Sequence, residues 1–284
     1  MNRLRFAVLV AALAPVLLIG GLLRLATRQT NWRVDGGVTV LFHKILCAAL
    51  GLRVRVSGRL ASPGALIAAN HVSWLDIPAL GALQPVAFLA KSELGRRWPG
   101  RTLARLQGVV FVERRRRRCI PMVNREIARI LARGAPLALF AEATTGDGNR
   151  LLRFRSSHFE ALRGALDAGQ AEAVVQPAHI AYVSRNGLPI GRVGQPVVAW
   201  YGDMTFAPHL WRLVRDGPFD CEITFGEPIR FFRMSNRKEI AALAQAGVRK
   251  LATGRRSHGL QQASEPVGPA RFAAAPGAMK ESLV

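Results

Sequence analysis

The chain opens with an uncharged apolar run, FAVLVAALAPVLLIGGLL at 6–23, long enough to span a bilayer. Arginines stand on both sides of it, so the positive-inside rule does not orient it. A helical hairpin entering and leaving on the cytoplasmic side fits that symmetry as well as a span does, and Pro15 with Gly20 and Gly21 would help the bend. A secretory signal peptide is the competing reading of a basic start before an apolar run. Against it, no clear A-x-A site follows, only the arginine-bearing RLATRQTNWR. The next apolar stretch, VTVLFHKILCAALGL at 38–52, is shorter and contains His43 and Lys44, which predicts an amphipathic or interfacial helix.

Beyond residue 52 the pattern changes to short strands alternating with helices. LRVRVSGRL at 52–60 alternates apolar and basic positions, as a half-exposed strand does. ALIAAN (65–70), VAFLAK (86–91), GVVFVE (108–113), APLALFAE (135–142), AVVQPAHIAYV (173–183) and CEITFGEPI (221–229) read as further strands. PMVNREIARILARG (121–134) and SSHFEALRGALDAG (156–169) have helical periodicity and end on glycine, and a last helix covers about 235–253. This alternation predicts an α/β fold, a mixed, mainly parallel sheet flanked by helices, with an N-terminal membrane-associated helical segment. No linker interrupts the middle and no repeat is visible. The organisation expected is a membrane-anchoring segment over 1–52, one domain over 53–253, and a disordered tail over 254–284 that lacks any apolar period.

Charge narrows the partners. The chain has 284 residues and a formal net charge of +22, mostly from arginine. That balance favours an anionic partner: nucleic acid, anionic lipid or an acidic carrier protein. The run ERRRRR at 113–118 has no interleaved aromatics, so base stacking is not supported, whereas anionic headgroups would suit it. Trp32, Trp74 and Trp98 fit a membrane interface or core packing equally. Cys47, Cys119 and Cys221 are scattered and odd in number, which implies neither zinc nor a disulfide framework and points to a reducing compartment. GDGN at 146–149 offers Asp147 to a metal, but reads first as a turn.

The candidate chemistry falls at strand ends, where α/β sheets bind ligands. NHVSWLD at 70–76 follows one strand, and Glu113, Arg114 and Glu142 follow others. A hydroxyl attacking an activated acyl group needs a base, and histidine is the usual one. Its second ring nitrogen needs a carboxylate to fix the tautomer. His71 and Asp76 can meet if the chain turns into a helix between them. The same spacing also fits an ordinary capped strand-to-helix turn.

Four blocks in order, NHVSWLD, GVVFVER, FAEATTGDGNRLLRF and VVQPAHIAY, resemble those of the glycerolipid acyltransferases, the 1-acylglycerol-3-phosphate acyltransferase family. The resemblance covers about residues 52–250. It implies His71 as general base and Asp76 as its orienting partner. It further implies substrate-binding roles for Asn70 and Ser73, for Gly108, Phe111 and Arg114, and for Glu142, Thr144 and Thr145, with Pro177 shaping a wall of the site. No metal or organic cofactor is implied. The co-substrate would be acyl-CoA or acyl carrier protein thioester, and the partners a lysolipid acceptor and an anionic membrane rather than nucleic acid. The location implied is the bacterial inner membrane, with the catalytic domain on the cytoplasmic face.

The third block departs from the family's Phe-Pro-Glu-Gly-Thr-Arg. Ala143 replaces the glycine and restricts the backbone where close approach or positive φ is at stake. Thr145 replaces the arginine, a preferred bidentate phosphate ligand. Arg114, Arg150 or Arg153 would have to supply the cation. A weaker phosphate clamp suits an acceptor without a phosphate monoester. TTGDGNRLLRF and the later AWYGDMTFAPHLW (199–211) resemble the subgroup that acylates lyso-ornithine lipid, on the 3-hydroxyl of an amide-linked hydroxy fatty acid. Phosphatidate synthesis from lysophosphatidate is the rival within the family, and a non-catalytic basic binding protein is the rival outside it.

Overall fold

The strands occur where short apolar runs meet turn residues, and they join one mixed sheet. They are β1 (Leu52–Ser57), β2 (Leu66–Ala69), β3 (Ala87–Lys91), β4 (Val109–Val112), β5 (Leu137–Phe140), β6 (Ala173–Arg185), β7 (Leu188–Pro189), β8 (Phe219–Phe225) and β9 (Ile229–Phe231). The computed structural model describes residues 32–60, 64–91, 109–112, 117–170 and 172–258. The order is β1-β8-β6-β2-β5-β3-β4, with β7 and β9 also paired to β6. Pairing is parallel through β1–β8, β2–β5, β2–β6, β3–β4 and β3–β5, and antiparallel where β6 meets β7, β8 and β9. The mixed, mainly parallel sheet expected from the sequence is therefore present. β2 and β5 are buried at every position, as central parallel strands covered on both faces must be.

Helices cover both faces. They are α1 (Trp32–Leu50), α2 (Asp76–Gly81), α3 (Ile120–Ala132), α4 (Ala161–Asp167), α5 (Gly191–Val198), α6 (Phe206–Asp216) and α7 (Arg237–His258). One core layer joins Ile67, Ala69, Phe140, Ile180 and Tyr182 of the sheet to residues of α1, α2, α5 and α6. The other joins Leu66, Ala68, Leu139 and Val175 to α3, α4 and α7. The alternation of adjacent strand residues between the layers is the two-residue period of a pleated sheet.

Several boundaries differ from expectation. The apolar run at 6–23 lies outside the described residues, and no helix among those described is long and apolar enough to cross a membrane. The helix expected at 38–52 starts earlier, at Trp32, and stops at Leu50. SSHFEALRGALDAG splits into a 3-10 turn, Ser156–Glu160, followed by α4. CEITFGEPI divides into β8 and β9. Pairing passes from Ala178↔Phe225 to Val175↔Ile229, so Gly226 to Pro228 hold one residue more than β6 has opposite them. A bulge absorbs that residue, and Pro228 could not have donated to the ladder. α7 continues through Gly254 to His258, so the expected tail does not begin at 254; residues 259–284 lie outside the described residues.

Candidate active site

β2 ends at Ala69, and the next residue fixes where the chain leaves the sheet. Asn70 Nδ2 donates to the Ile180 carbonyl at 2.9 Å, and Asn70 Oδ1 accepts from the Ile180 N–H at 2.8 Å. This two-way clamp to β6 satisfies a buried amide and sets the position of His71. The backbone of His71 is held from the third block. Its N–H donates to Glu142 Oε2 at 2.9 Å, and its carbonyl accepts from the Gly146 N–H at 2.8 Å. Its ring stacks on Phe140, with centroids 3.9 Å apart and planes 9° from parallel.

From Val72 to Leu75 the chain turns into α2, which brings Asp76 back under the histidine. Asp76 Oδ2 lies 2.8 Å from His71 Nδ1 and accepts from the N–H groups of Val72 at 2.7 Å and Ser73 at 3.0 Å. Asp76 Oδ1 accepts from the Tyr182 hydroxyl at 2.7 Å. The side chain is fully buried, and four donors supply what a buried carboxylate requires. With Nδ1 facing Asp76, the proton belongs on Nδ1 and the lone pair on Nε2. Nε2 has no hydrogen bond among the described residues, and the ring keeps 18 % of its side-chain surface exposed. The arrangement can take a proton from a group brought to Nε2.

Glu142 braces two segments at once. Oε2 holds His71, and Oε1 accepts from the Leu152 N–H at 2.7 Å. Burial pushes its carboxyl up to about 7, against the two N–H donors that favour the charged form, with the Asp76 charge adding to the rise. Burial and the neighbouring Asp76 charge raise the Tyr182 phenol well above its usual value, so it remains a donor.

The sequence-predicted residues separate into groups. Asn70, His71, Ser73, Asp76 and Glu142 are brought together. Ser73 is fully buried and gives its N–H to Asp76, while its hydroxyl has no partner among the described residues. Ala143 sits at φ 62°, so the block does demand the left-handed conformation that the missing glycine would have supplied. Thr144 is exposed and Thr145 half-buried in the same loop. Phe111 lies in β4, paired with Ala90. Gly108 and Arg114 lie outside the described residues. Pro177 sits inside β6, where its Cγ would lie 2.9 Å from a Cβ built on Gly247, so it abuts α7. Asp147 Oδ1 accepts from the Asn149 N–H at 2.9 Å, the turn expected of GDGN. Among the described residues, no group of three or more His, Cys, Asp and Glu side chains is placed to hold a metal ion.

Two site neighbours escaped the sequence reading. Tyr182 closes the fourth block, and its one signal was a hydroxyl-bearing aromatic in an otherwise apolar strand. His209 is buried and accepts from Trp74 Nε1 at 3.0 Å through Nδ1, while Nε2 faces the Ala199 carbonyl at 3.1 Å. Burial lowers its pKa, which suits the neutral form these bonds require.

The acyltransferase family model matches residues 53–181. The chain is 42 % identical over 217 residues to the lyso-ornithine lipid O-acyltransferase of Rhizobium meliloti, covering 75 % of this chain and 74 % of that protein. It is 39 % identical over 192 residues to the 1-acyl-sn-glycerol-3-phosphate acyltransferase of Neisseria meningitidis, covering 64 % and 70 % respectively. The crystal structure of the 1-acyl-sn-glycerophosphate acyltransferase of Thermotoga maritima shares the fold, with a TM-score of 0.51 at 22 % identity over 89 % of this chain and 98 % of that one. The match extends well beyond the His-Asp turn to most of both chains, and on that ground the protein is an enzyme of the acyltransferase family.

Proposed function

We propose that the protein transfers a fatty acyl group from an acyl thioester to the hydroxyl of a lysolipid, with lyso-ornithine lipid as the acceptor. The observation that carries the chemistry is the 2.8 Å contact of His71 Nδ1 with a buried, four-fold hydrogen-bonded Asp76. His71 Nε2 takes the proton of the acceptor hydroxyl as its oxygen attacks the thioester carbonyl. The carbon–sulfur bond breaks, the proton passes to the departing sulfur, and the products are an ester and a free thiol. Asp76 holds the tautomer and stabilises the imidazolium formed in between. Histidine and aspartate suffice because the acceptor is itself the nucleophile.

The acceptor assignment is supported by Thr145, which leaves the third block without its arginine, and by the similarity to the Rhizobium protein. A cavity of about 280 Å³ beside the turn, lined by Val72, Asn149, Tyr182, Arg192 and Gln195 among others, offers polar groups to a headgroup. The donor in this reading is acyl carrier protein or CoA thioester, and the site of action is the cytoplasmic face of a bacterial inner membrane. The three free cysteines and the arginines flanking the apolar run fit that location. Phosphatidate synthesis remains the alternative favoured by the Neisseria relative.

The test is thiol release from acyl-carrier-protein thioester with lyso-ornithine lipid and lysophosphatidate supplied side by side. The expected result is turnover of the first in preference to the second, and loss of turnover in His71→Ala. Full activity in His71→Ala would refute the mechanism, and preference for lysophosphatidate would refute the acceptor.

A further inference from the structure

α6 carries an outer face that the fold does not use. His209, Leu213 and Val214 point into the core. Ala207, Pro208, Trp211, Arg212 and Arg215 are exposed, at the spacing of one continuous helix side. Trp211 is 47 % exposed, and Phe206, at the start of the helix, is 50 % exposed. The Phe206 end of the helix, on the side of His209 and Leu213, is joined to the catalytic turn through one indole. The Phe206 ring lies 5.1 Å from that of Trp74, and Trp74 Nε1 donates to His209 at 3.0 Å. Trp74 itself stands between His71 and Asp76.

We propose that the exposed face of α6 seats the enzyme on an anionic lipid surface, with Trp211 entering the interfacial layer and Arg212 meeting headgroups. Tryptophan beside arginine on one face is the composition of helices that lie in a membrane interface. The net charge of +22 complements anionic lipid and opposes a second copy docking face to face. α1 adds to the case. Its residues Cys47 and Leu50 share the core layer of α6 residues Leu213 and Val214, so the helix expected to be interfacial packs on the sheet face that carries α6. Contact there would hold the His71–Asp76 turn at the layer containing the acceptor. The functional consequence rests on the lipid acceptor proposed above; the contact itself does not.

The full-length chain is mixed with vesicles of phosphatidylcholine and phosphatidylglycerol carrying brominated acyl chains, which quench tryptophans that enter the acyl boundary. Of the five tryptophans, Trp211 should contribute a quenched component that disappears in Trp211→Phe. In Trp211→Ser/Arg212→Ser, KM for acceptor embedded in vesicles should rise about tenfold, while turnover of a short-chain, monomerically dispersed acceptor stays unchanged. Equal quenching in the wild type and Trp211→Phe overturns the proposal. So does shielding of Trp211 by self-association or by an acidic carrier protein in the absence of vesicles. Quenching of Trp211 without turnover of any lysolipid would leave the membrane contact standing and bring down the acceptor assignment instead.

Discussion

At the scale of single residues, the decisive arrangement is the set of donors around Asp76. His71, Val72 and Ser73 are neighbours in sequence, and the five-residue spacing only allowed the pair, which the resemblance of the four blocks then singled out. Tyr182 is 106 residues away, and a strand tyrosine carries no local mark of its partner. Tyr182→Phe removes the donor to Oδ1 and leaves a buried oxygen unsatisfied, a penalty of about 1–3 kcal/mol. Steady-state kinetics should show kcat falling by about tenfold with KM little changed, because Asp76 loses its anchor while the substrate surfaces remain. Ala143 makes the opposite case, since the sequence departure announced its own strain. At φ 62°, Ala143→Gly should stabilise the fold by about 1 kcal/mol and raise Tm by about 2–4 °C, read by thermal unfolding, with activity retained. Glu142 predicts a pH effect. Its folded pKa of about 7 lies above the ordinary carboxylate value of 4.5, so between these limits the folded state binds more protons than the unfolded state. Stability from this group is therefore greatest at low pH and falls as pH rises from about 4.5 to 7. Thermal scans across that window should show the slope in the wild type and its loss in Glu142→Gln, which will also be less stable overall because its amide nitrogen faces an N–H donor.

Elements were legible where hydrophobic pattern alone decides them. The buried runs LIAA and LALF could hardly be anything but central strands once glycines and prolines bounded them. α5 and α6 were not legible, because Gly191, Gly194 and Pro196 interrupt the first and Pro208 stands in the first turn of the second. Only packing against the core overrides those weak propensities. The break between β8 and β9 is likewise a tertiary outcome, since the extra residue is visible only against β6. Pro177 ties these elements together. It accepts through its carbonyl from the Gly226 N–H at 2.9 Å, inside the bulge, and its ring presses on Gly247 of α7. A Cβ on Gly247 would lie 2.9–3.0 Å from two carbons of that rigid ring. Gly247→Val should therefore lift α7 from the sheet and destabilise the protein by about 1–3 kcal/mol, overpacking outweighing any gain in helix propensity. Denaturant unfolding checks this, and unchanged stability would show that the helix has room to shift.

For the whole molecule, the alternation of strands and helices was enough to expect a mixed sheet, but not its order. β1 pairs with β8 through Leu52↔Phe219, and Arg53 meets Asp220 across 167 residues at 2.6 Å. No local pattern encodes a partner that distant. Net charge, by contrast, is a property of the entire chain that the sequence gives directly, and its consequence belongs at this scale. A charge of +22 creates a long-range field that attracts anionic surfaces before any specific contact forms. Raising ionic strength from about 0.01 M to about 1 M shortens the screening length from about 30 Å to about 3 Å, while apolar insertion is not weakened in this way. Vesicle sedimentation should therefore show two components. Affinity for phosphatidylglycerol vesicles should fall at least tenfold over that salt range, and the residue that persists should match the binding to neutral phosphatidylcholine. Trp211→Ser should lower the persistent component and leave the salt slope alone, whereas Arg212→Ser should do the reverse. Binding indifferent to both salt and lipid charge would mean that the arginines serve solubility only, and that apolar segments alone hold this enzyme to a membrane.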